Sequence, residues 1–214
     1  MTTAIVPFKT LSEAKSRLAG LLSPADRSAL AMAMLADVLT ALTQSQSVNH
    51  IIVTTCDQAA QRLAQSLNIT LMNDVGTNLN HSLELAIANV DSKTSILIIH
   101  ADLPLVEAVD IDDFINSLPH GGVALAGSHD GGTTAMAFAT AIRMKLSFGS
   151  ESFRHHWSAA NTAEIPVFSI HEGPITFDID RPDDLLRLRN KPGERQTGKL
   201  LSGLTLHPTN TYED

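Results

Sequence analysis

The stretch "TSILIIHADLPLV", residues 94–106, decides the fold, because it is the strongest strand signal in the 214-residue chain. Its apolar run ends in polar residues and a proline, which cannot continue a central ladder. Similar short runs at 4–8, 50–56, 69–74 and 121–127 alternate with segments of helical period. This alternation is typical of parallel βαβ units, and it predicts an α/β domain.

Helical periodicity fills the gaps between these runs. The longest helix is predicted at 23–44, where Ser23 is a suitable N-cap and Pro24 fits the first helical position. Its apolar residues recur every four positions and predict a stripe that faces the core: Leu30, Met34, Val38 and Leu42. Shorter helices are expected at 58–67, 76–90 and 110–118.

The order of elements changes after residue 128. Strands are predicted at 133–140 and 164–171, with a helix near 148–160 between them and a short closing helix at 180–190. The last stretch is rich in proline, glycine and polar residues, which favours an extended tail or an arm on a neighbouring subunit. We therefore predict one domain over 1–190 and an extended tail over 191–214.

Composition excludes several classes of protein. A formal net charge of -8 argues against a general nucleic-acid binder, which needs a basic surface to neutralise phosphates. One cysteine, Cys56, excludes an intramolecular disulfide framework and a cysteine-rich zinc site. The sequence has neither an apolar run long enough to span a bilayer nor the pattern of a secretion signal. We expect a soluble cytoplasmic protein without a membrane partner.

Three cations follow the first predicted strand within ten residues: Lys9, Lys15 and Arg17. In an open α/β sheet, ligands bind beyond the carboxyl ends of the strands, where loops leave for the helices. Cations at that place in an acidic chain are suited to surround a triphosphate. The alternative is that they are solvated charges on a surface helix.

Carboxylates occur at two further strand ends. Asp102 follows the run of 94–99, where it is suited to bind Mg²⁺ or to cap the following turn. In "FDIDRPDD" (177–184), Asp178 and Asp180 alternate with apolar residues, so a strand would place both carboxylates on one face. Two acids on one face favour a bound cation, although Asp180 is equally suited to cap the helix near Pro182.

Glycine-rich turns and an amide provide uncharged contacts. "HDGGTT" (129–134) and "FGSES" (148–152) offer backbone amides and hydroxyls that suit a phosphate or carboxylate. Asn80 lies at a predicted helix entrance, where it is suited either to contact a nucleotide or to cap the helix. His155 and His156 are adjacent, so on a helix they diverge by about 100° and do not clasp one metal.

Several known reaction motifs are absent from the sequence. There is no G-x-S-x-G nucleophile elbow, no phosphate loop of the form G-x-x-x-x-G-K-[ST], and no dinucleotide fingerprint G-x-G-x-x-G. The usual loops for nucleotide hydrolysis and hydride transfer are therefore disfavoured.

Five segments in order carry a resemblance to a known family: "VPFKTLSEAKSRLAGLLSPADR", "DVGTNLNHSL", "ADLPL", "FGSESFRHH" and "FDIDRPDDL". Over residues 4–190 the chain resembles the guanylyltransferases that make the activated phospho-acid precursor of the deazaflavin coenzyme F-420. The resemblance implies a single Rossmann-like nucleotidyltransferase domain of GT-A type, with a mixed, mostly parallel sheet flanked by helices. It also implies Mg²⁺ as cofactor, with GTP and 2-phospho-L-lactate, phosphoenolpyruvate or 3-phospho-D-glycerate as substrates.

The resemblance assigns roles to particular residues. It implies catalytic roles for Lys9, Lys15, Arg17 and Asp102, and metal binding by Asp102, Asp178 and Asp180. It implies nucleotide binding by Pro7, Lys9, Lys15, Asp74 and Asn80, and acid-substrate binding by Thr134, Gly149 and Ser152.

One departure and two rival functions stay open at this point. Ala135 replaces a polar residue that the family usually carries beside the substrate, so the identity of the acid is open. A nucleotidyltransferase of the same fold for CTP, UTP or a sugar phosphate is one rival, and a non-catalytic nucleotide-binding module is the other. A homodimer is compatible with a tail that packs on a neighbour.

Overall fold

The computed structural model describes residues 1–11, 15–142, 144–189 and 194–204. Within these ranges one sheet contains seven strands: β1 (Thr2–Pro7), β2 (His50–Thr54), β3 (Thr70–Met72), β4 (Ser95–Ile99), β5 (Val123–Gly127), β6 (Thr133–Ala139) and β7 (Val167–Ile170). The described helices are α1 (Pro24–Gln44), α2 (Gln58–Ser66), α3 (Leu79–Ala88), α4 (Ala108–Asn116), α5 (Ser152–Thr162), α6 (Pro182–Arg189) and α7 (Gln196–Gly203). Short 3₁₀ turns occur at Ser16–Leu18 and Pro174–Thr176.

The sheet is mixed and mostly parallel, as predicted. Its strand order is β3-β2-β1-β4-β6-β5-β7. Strands β1 to β4 are parallel to their neighbours in that group, β6 runs antiparallel to β4 and β5, and β7 is parallel to β5. The carboxyl ends of β1, β4 and β5 therefore lie at the same edge as the beginning of β6, which is the edge where an α/β sheet binds its ligands.

The core lies on both faces of the sheet because successive strand residues point to opposite sides. In β1, Ala4 and Val6 join one apolar cluster with α1 and α4, whereas Ile5 joins the other with α3 and α5. The stripe predicted for α1 is confirmed, since Leu30, Met34, Val38 and Leu42 are all buried. The Ser23 cap is confirmed as well, because its hydroxyl accepts a hydrogen bond from the Asp26 amide at 3.2 Å.

A β-bulge marks the beginning of β6. Ala135 pairs with Ala126, but Thr133 pairs with Gly127, so Thr134 is an extra residue on this strand. A bulge re-aims the side chains beside it. The Thr133 hydroxyl accordingly meets α5, at His156, and the Thr134 hydroxyl donates to the Ile175 carbonyl at 2.7 Å.

Residues 177–180 differ from the sequence prediction, because they belong to no strand of the described sheet. The amide of Ile179 donates instead to the Asp102 carbonyl at 3.2 Å, which attaches the segment to the loop after β4. Ile179 is buried in a third apolar cluster. The carboxylates on either side of it, Asp178 and Asp180, still reach a common site, as the alternation predicted.

The C-terminal residues also differ from the sequence prediction. Residues 196–203, expected as extended tail, form α7, whose Leu201 packs against Leu30 and Leu185 in the third cluster. The expectation of an extended tail is therefore wrong for these eight residues. The rest of the predicted tail, apart from 194–195 and 204, lies outside the described residues.

No described helix combines the length and the apolar character that a membrane span requires.

Candidate active site

Asp102 stands just beyond the carboxyl end of β4, in the middle of the sheet. The chain leaves the strand at His100, whose amide donates to the Thr134 carbonyl at 2.9 Å and keeps the turn against β6. The Asp102 side chain is 21% exposed and faces a cleft of about 380 Å³. The strand end therefore presents a carboxylate to the cleft, as the sequence predicted.

Three carboxylates converge at this point. One oxygen each from Asp102, Asp178 and Asp180 lies within 4.8 Å of the others. Oδ1 of Asp102 and Oδ1 of Asp178 are buried, and neither forms a hydrogen bond with any part of the chain that the structure describes. Burial, reinforced by repulsion from Asp102 and Asp180, raises the pKa of Asp178 to about 7. Hard oxygens with unused lone pairs and mutual repulsion fit a magnesium ion.

Lys15 is the cation that meets these acids. Its Nζ donates to Oδ2 of Asp102 at 2.5 Å and to Oδ1 of Asp180 at 2.7 Å. Burial disfavours the ammonium, but attraction to Asp102 and Asp180 outweighs it and raises the pKa of Lys15 above its usual value. Burial likewise opposes ionisation of Asp102, yet Lys15 lowers the pKa of that carboxyl. Both groups are therefore charged at neutral pH.

Arg17 lies farther out on the same side. Its Nη1 is 3.4 Å from Oδ2 of Asp180 and 3.8 Å from Oδ2 of Asp130, and its side chain is 61% exposed. An exposed ion pair is weak, so the guanidinium can leave these carboxylates for another anion at little cost in free energy. Arg17 can therefore reach an anionic ligand in the cleft without unfolding anything.

His129 and Asp184 lie next to the carboxylate cluster and contact the segment that carries Asp178 and Asp180. His129 Nε2 lies 3.4 Å from Oδ1 of Asp184, and its Nδ1 lies 4.0 Å from Oδ1 of Asp178. The other oxygen of Asp184 accepts hydrogen bonds from the amides of Asp180 and Arg181. Asp184, in the first turn of α6, thus fixes the two residues that precede the helix, and the Asp180 carboxylate binds Lys15.

The cations Lys9 and Lys15 line the same cleft as Asp102, together with Pro7 at the end of β1. Lys9 and Pro7 also line a neighbouring pocket of about 250 Å³, whose other walls include Cys56, Asp74 and Asn78. Oδ1 of Asp74 accepts hydrogen bonds from the Gly76 amide at 3.0 Å and from the Ser82 hydroxyl at 2.5 Å, which hold the turn before α3 in place. The structure therefore brings Pro7, Lys9 and Asp74 together.

Two residues expected at the nucleotide or the substrate have other surroundings. The Asn80 amide donates to the Phe148 carbonyl at 3.0 Å and accepts from the Phe148 amide at 2.7 Å. It does not cap α3, because Asn78 accepts the capping bond from the His81 amide. Ala135 is fully buried in the core and pairs with Ile99, and a link between this position and the choice of acid stays a prediction.

The three residues expected at the acid substrate differ in accessibility. The Thr134 side chain is buried, and its hydroxyl donates to the Ile175 carbonyl at 2.7 Å, so contact between this hydroxyl and the acid stays a prediction. Gly149 is exposed with φ 136°, a region that favours glycine, and a Cβ there would meet no atom within 4 Å. Ser152 is the buried first residue of α5.

Sequence reasoning missed four residues that the structure places beside the carboxylates: His100, His129, Asp130 and Asp184. Each lies inside a segment already singled out, at 94–106, 129–134 or 177–184. Their partners, however, are distant in sequence, as for the 113 positions between Arg17 and Asp130. The surroundings of His100 likewise depend on the fold. Burial lowers the pKa of its ring, and its Nε2 atom is buried without a hydrogen-bond partner among the described residues.

Known proteins resemble the chain along most of its length. A phosphoenolpyruvate guanylyltransferase of Roseiflexus sp. (strain RS-1) is 36% identical over 198 residues, which cover 92% of this chain and 89% of that protein. A 3-phospho-D-glycerate guanylyltransferase of Phenylobacterium zucineum (strain HLK1) is 31% identical, covering 95% of this chain and 97% of that protein. A crystal structure from Desulfovibrio desulfuricans G20, named as a nucleotide-diphospho-sugar transferase, superimposes with a TM-score of 0.76 at 16% identity and covers 94% of both chains.

The solved structure supports the fold alone, since its identity to this chain is low. The sequence relatives and a family model support more, because these relatives are more than 30% identical over most of the chain, and the family model spans the carboxylate cluster and its lysine. The model described as "Guanylyl transferase CofC like" matches residues 2–209. The chain therefore belongs to the CofC-like guanylyl transferase family.

Proposed function

We propose that this chain transfers the GMP part of GTP to the phosphate of a three-carbon phospho-acid, releases pyrophosphate, and uses Mg²⁺ held by Asp102, Asp178 and Asp180. The product is the guanylyl-diphospho-acid of coenzyme F-420 biosynthesis. The observation that carries the proposal is the cluster of three carboxylates at the ligand-binding edge of the sheet, two of which bind the Lys15 ammonium.

The reaction forms one bond and breaks one bond. An oxygen of the acid's phosphate attacks the α-phosphorus of GTP, and the bond from that phosphorus to the oxygen of pyrophosphate breaks in line. Catalysis of this kind consists of positioning two anions and neutralising their charge. Bound Mg²⁺ would neutralise phosphate charge and hold the α-phosphate in place. Lys15, Lys9 and Arg17 would reduce the repulsion between the substrates and stabilise the leaving pyrophosphate.

The nucleotide is proposed to occupy the cleft lined by Lys15 and Asp102 and the pocket beside it. Lys9 lines both spaces, so it is suited to contact phosphates while the nucleoside lies toward Cys56 and Asp74. An ordered turn with exposed polar atoms at 73–78 suits a base or ribose. We keep Pro7, Lys9, Lys15 and Asp74 as proposed nucleotide-binding residues.

The acid is proposed to bind on the other side of the carboxylates, next to the turns at 128–132 and 147–152. The Phe153 amide donates to the Gly131 carbonyl at 3.1 Å, which ties the two turns together. Thr134, Gly149 and Ser152 remain the proposed acid-binding residues. The names of the relatives give phosphoenolpyruvate for one and 3-phospho-D-glycerate for another, so the family uses more than one acid.

Product analysis tests the proposal directly. The enzyme is incubated, in separate reactions, with GTP, CTP or UTP, each with MgCl₂ and an equimolar mixture of 2-phospho-L-lactate, phosphoenolpyruvate and 3-phospho-D-glycerate, and the products are identified by mass spectrometry. A guanylyl-diphospho-acid together with pyrophosphate is the expected result. Product formed only from CTP or UTP would show another nucleotidyltransferase, and GTP binding without pyrophosphate would show a binding module.

The proposal also includes the compartment in which the enzyme acts and its oligomeric state. We place the enzyme in the cytoplasm with small molecules as its partners, and a homodimer stays a prediction that the mass in solution tests.

A further inference from the structure

The segment 144–149 joins β6 to α5 and contains no helix or strand among its residues. Its Phe148 side chain is buried in the cluster on the α3 and α5 face. The Phe148 ring lies 5.6 Å from the ring of His100 and 4.8 Å, edge to face, from that of His156. Phe148 therefore stands between the strand end that carries Asp102 and the helix that carries Ser152, and Gly149 follows it directly.

Asn80 holds the backbone of Phe148 from α3. Its Nδ2 donates to the Phe148 carbonyl at 3.0 Å and its Oδ1 accepts from the Phe148 amide at 2.7 Å, across 68 positions of sequence. One carboxamide thus satisfies both polar groups of one residue in a segment that lacks ladder hydrogen bonds. An aspartate at this position has no proton for the carbonyl at neutral pH, so only part of the arrangement would survive.

His156 holds the preceding residue from α5. Its side chain is fully buried, and Nε2 accepts a hydrogen bond from the Ser147 amide at 2.9 Å. Because Nε2 accepts, the neutral ring must carry its proton on Nδ1, which lies 3.0 Å from the Thr133 hydroxyl. Burial, with smaller contributions from His155 and His100, lowers the pKa of His156 to about 4. The imidazole is neutral at physiological pH and in one defined tautomer.

We propose that Asn80 and His156 are positioning residues that fix the backbone of Ser147 and Phe148, and thereby present Gly149 to the phospho-acid. We call this arrangement the Phe148 clamp. It rests on the proposed function, because the acid is the ligand assigned to Gly149. The inference also assigns Asn80 a role different from nucleotide contact, since both atoms of its carboxamide are already hydrogen-bonded to Phe148.

The clamp predicts that acid binding and nucleotide binding respond differently to its loss. Freeing the 147–149 backbone adds conformations that the acid must select against, whereas the pocket beside Lys9 is lined by other segments. The Michaelis constant for the acid should rise about tenfold or more, a change that corresponds to roughly one lost hydrogen bond. The Michaelis constant for GTP should stay within about twofold.

Steady-state kinetics of matched variants test this split. Asn80→Asp removes the donor, and Asn80→Ala removes both bonds. His156→Phe removes the acceptor but keeps an aromatic ring, whereas His156→Gln retains an acceptor and should recover most of the acid affinity. Asn89→Ala, at the C-terminal end of the same helix as Asn80, is the control, because its side chain donates to the Leu85 carbonyl at 2.8 Å and to no other described residue. A Michaelis constant for GTP that rises as much as that for the acid would overturn the proposal and return Asn80 to the nucleotide.

Hydrogen exchange tests the clamp without any turnover. The amides of Ser147 and Phe148 should exchange slowly in the ligand-free wild-type enzyme, and about tenfold faster or more in His156→Phe and Asn80→Ala respectively. Fast exchange of both amides in the wild type would overturn the clamp. Protected amides in an enzyme that accepts none of the three acids would support the clamp while rejecting the proposed function, so the two failures are distinguishable.

Discussion

The Nζ atom of Lys15 lies 2.5 Å from Oδ2 of Asp102, although 87 positions separate the two residues in sequence. A bond of this length between charged groups is strong, and the second acceptor, Asp180, makes the ammonium a bridge between two segments. Lys15 itself adopts the left-handed conformation, with φ 51°, which is costly for a residue with a Cβ. The carboxylates therefore hold Lys15 in this conformation at one side of the cleft.

Lys15→Met tests this bridge. The substitution keeps the apolar stem but leaves Asp102 and Asp180 without their cation, so we expect a loss of roughly 1–3 kcal/mol in the free energy of unfolding. Because the bare carboxylates then repel each other, MgCl₂ should stabilise the variant more than it stabilises the wild type. Thermal unfolding with and without MgCl₂ measures both effects, and pyrophosphate release should fall at least about 100-fold.

Lys199→Met is the matched control, because Lys199 is exposed on α7 and away from the cleft. It should unfold and react like the wild type. A Lys15→Met protein as stable as the wild type in metal-free buffer would contradict the bridge.

Asp178→Asn tests the cost of keeping the carboxylates together. At pH 8 the Asp178 carboxyl, whose pKa is raised to about 7, is ionised next to Asp102 and Asp180. An amide removes that charge, so the metal-free variant should be more stable than the wild type by roughly 1–3 kcal/mol. Denaturant unfolding at pH 8 measures the difference. With MgCl₂ the order should reverse, because only the wild type retains all three carboxylates. If MgCl₂ stabilised both proteins equally, Asp178 would not be a metal ligand.

Cys56 provides a probe for the nucleotide. It is the only cysteine in the chain, it is exposed, and it lines the pocket beside Lys9. We expect GTP at ten times its dissociation constant to slow alkylation by N-ethylmaleimide about tenfold, because only the free enzyme reacts. The rate is followed by mass spectrometry of the intact protein. Phosphoenolpyruvate alone should have no effect, and an unchanged rate at saturating GTP would move the nucleotide out of this pocket.

The pKa of His156 predicts how stability depends on pH. The folded imidazole has a pKa of about 4, below the ordinary 6.5, so the unfolded chain binds a proton that the folded chain does not as pH falls through this window. This difference in proton binding lowers the free energy of unfolding of the wild type as pH falls below 6.5, and the whole of that loss is reached near pH 4. Glutamine does not titrate in this window, so His156→Gln does not undergo this loss. The amount by which its free energy of unfolding falls below that of the wild type should therefore shrink by about 2–3 kcal/mol between pH 7.5 and pH 4.5.

Urea unfolding of both proteins at the two pH values measures this change. His155→Gln is the control, since it makes the same substitution at an exposed histidine of the same helix. A constant difference between His156→Gln and the wild type would mean that the buried ring takes up its proton as easily as a solvated one.

The sheet and most helices could be predicted because their signals are local. The apolar run before Asp102 and the four-residue stripe of α1 depend only on neighbouring residues, and both are confirmed. The partners of Asn80 and His156 could not be predicted, since hydrogen bonds to the 147–148 backbone depend on how α3 and α5 pack. Nor could the segment 177–180 be assigned correctly, because alternation shows which side chains share a side but not whether a neighbouring strand exists.

The helix α7 is the clearest case of structure that depends on distant residues. Its first amides, those of Gln196 and Thr197, donate to the two carboxylate oxygens of Asp37 at 2.9 Å each. Asp37 belongs to α1 and lies 159 positions before Gln196. The free N–H groups at a helix beginning are usually satisfied by a residue just before it, so a local pattern gives no sign of this cap.

Arg195 links this helix to the carboxylate cluster. Its Nη1 donates to the carbonyls of Pro104 at 3.2 Å and Val106 at 2.6 Å, in the loop that follows Asp102. Arg195→Ala should therefore cost roughly 1–3 kcal/mol in the free energy of unfolding, because buried carbonyls lose a charged donor. The loosened loop should also lower kcat about fivefold or more, since misplacing a metal-binding carboxylate affects the reacting geometry.

Arg189→Ala is the control for Arg195→Ala. It distinguishes loss of the bonds to the loop after Asp102 from loss of a positive charge in general. Arg189 is exposed at the end of α6, and its removal should leave both stability and kcat near wild-type values. Thermal unfolding and pyrophosphate release at saturating GTP and acid measure the two quantities, at a temperature where both variants are folded. If Arg195→Ala lowered stability but left kcat unchanged, α7 would stabilise the domain without positioning Asp102, because a loop that holds its carboxylate equally well without Arg195 does not depend on it.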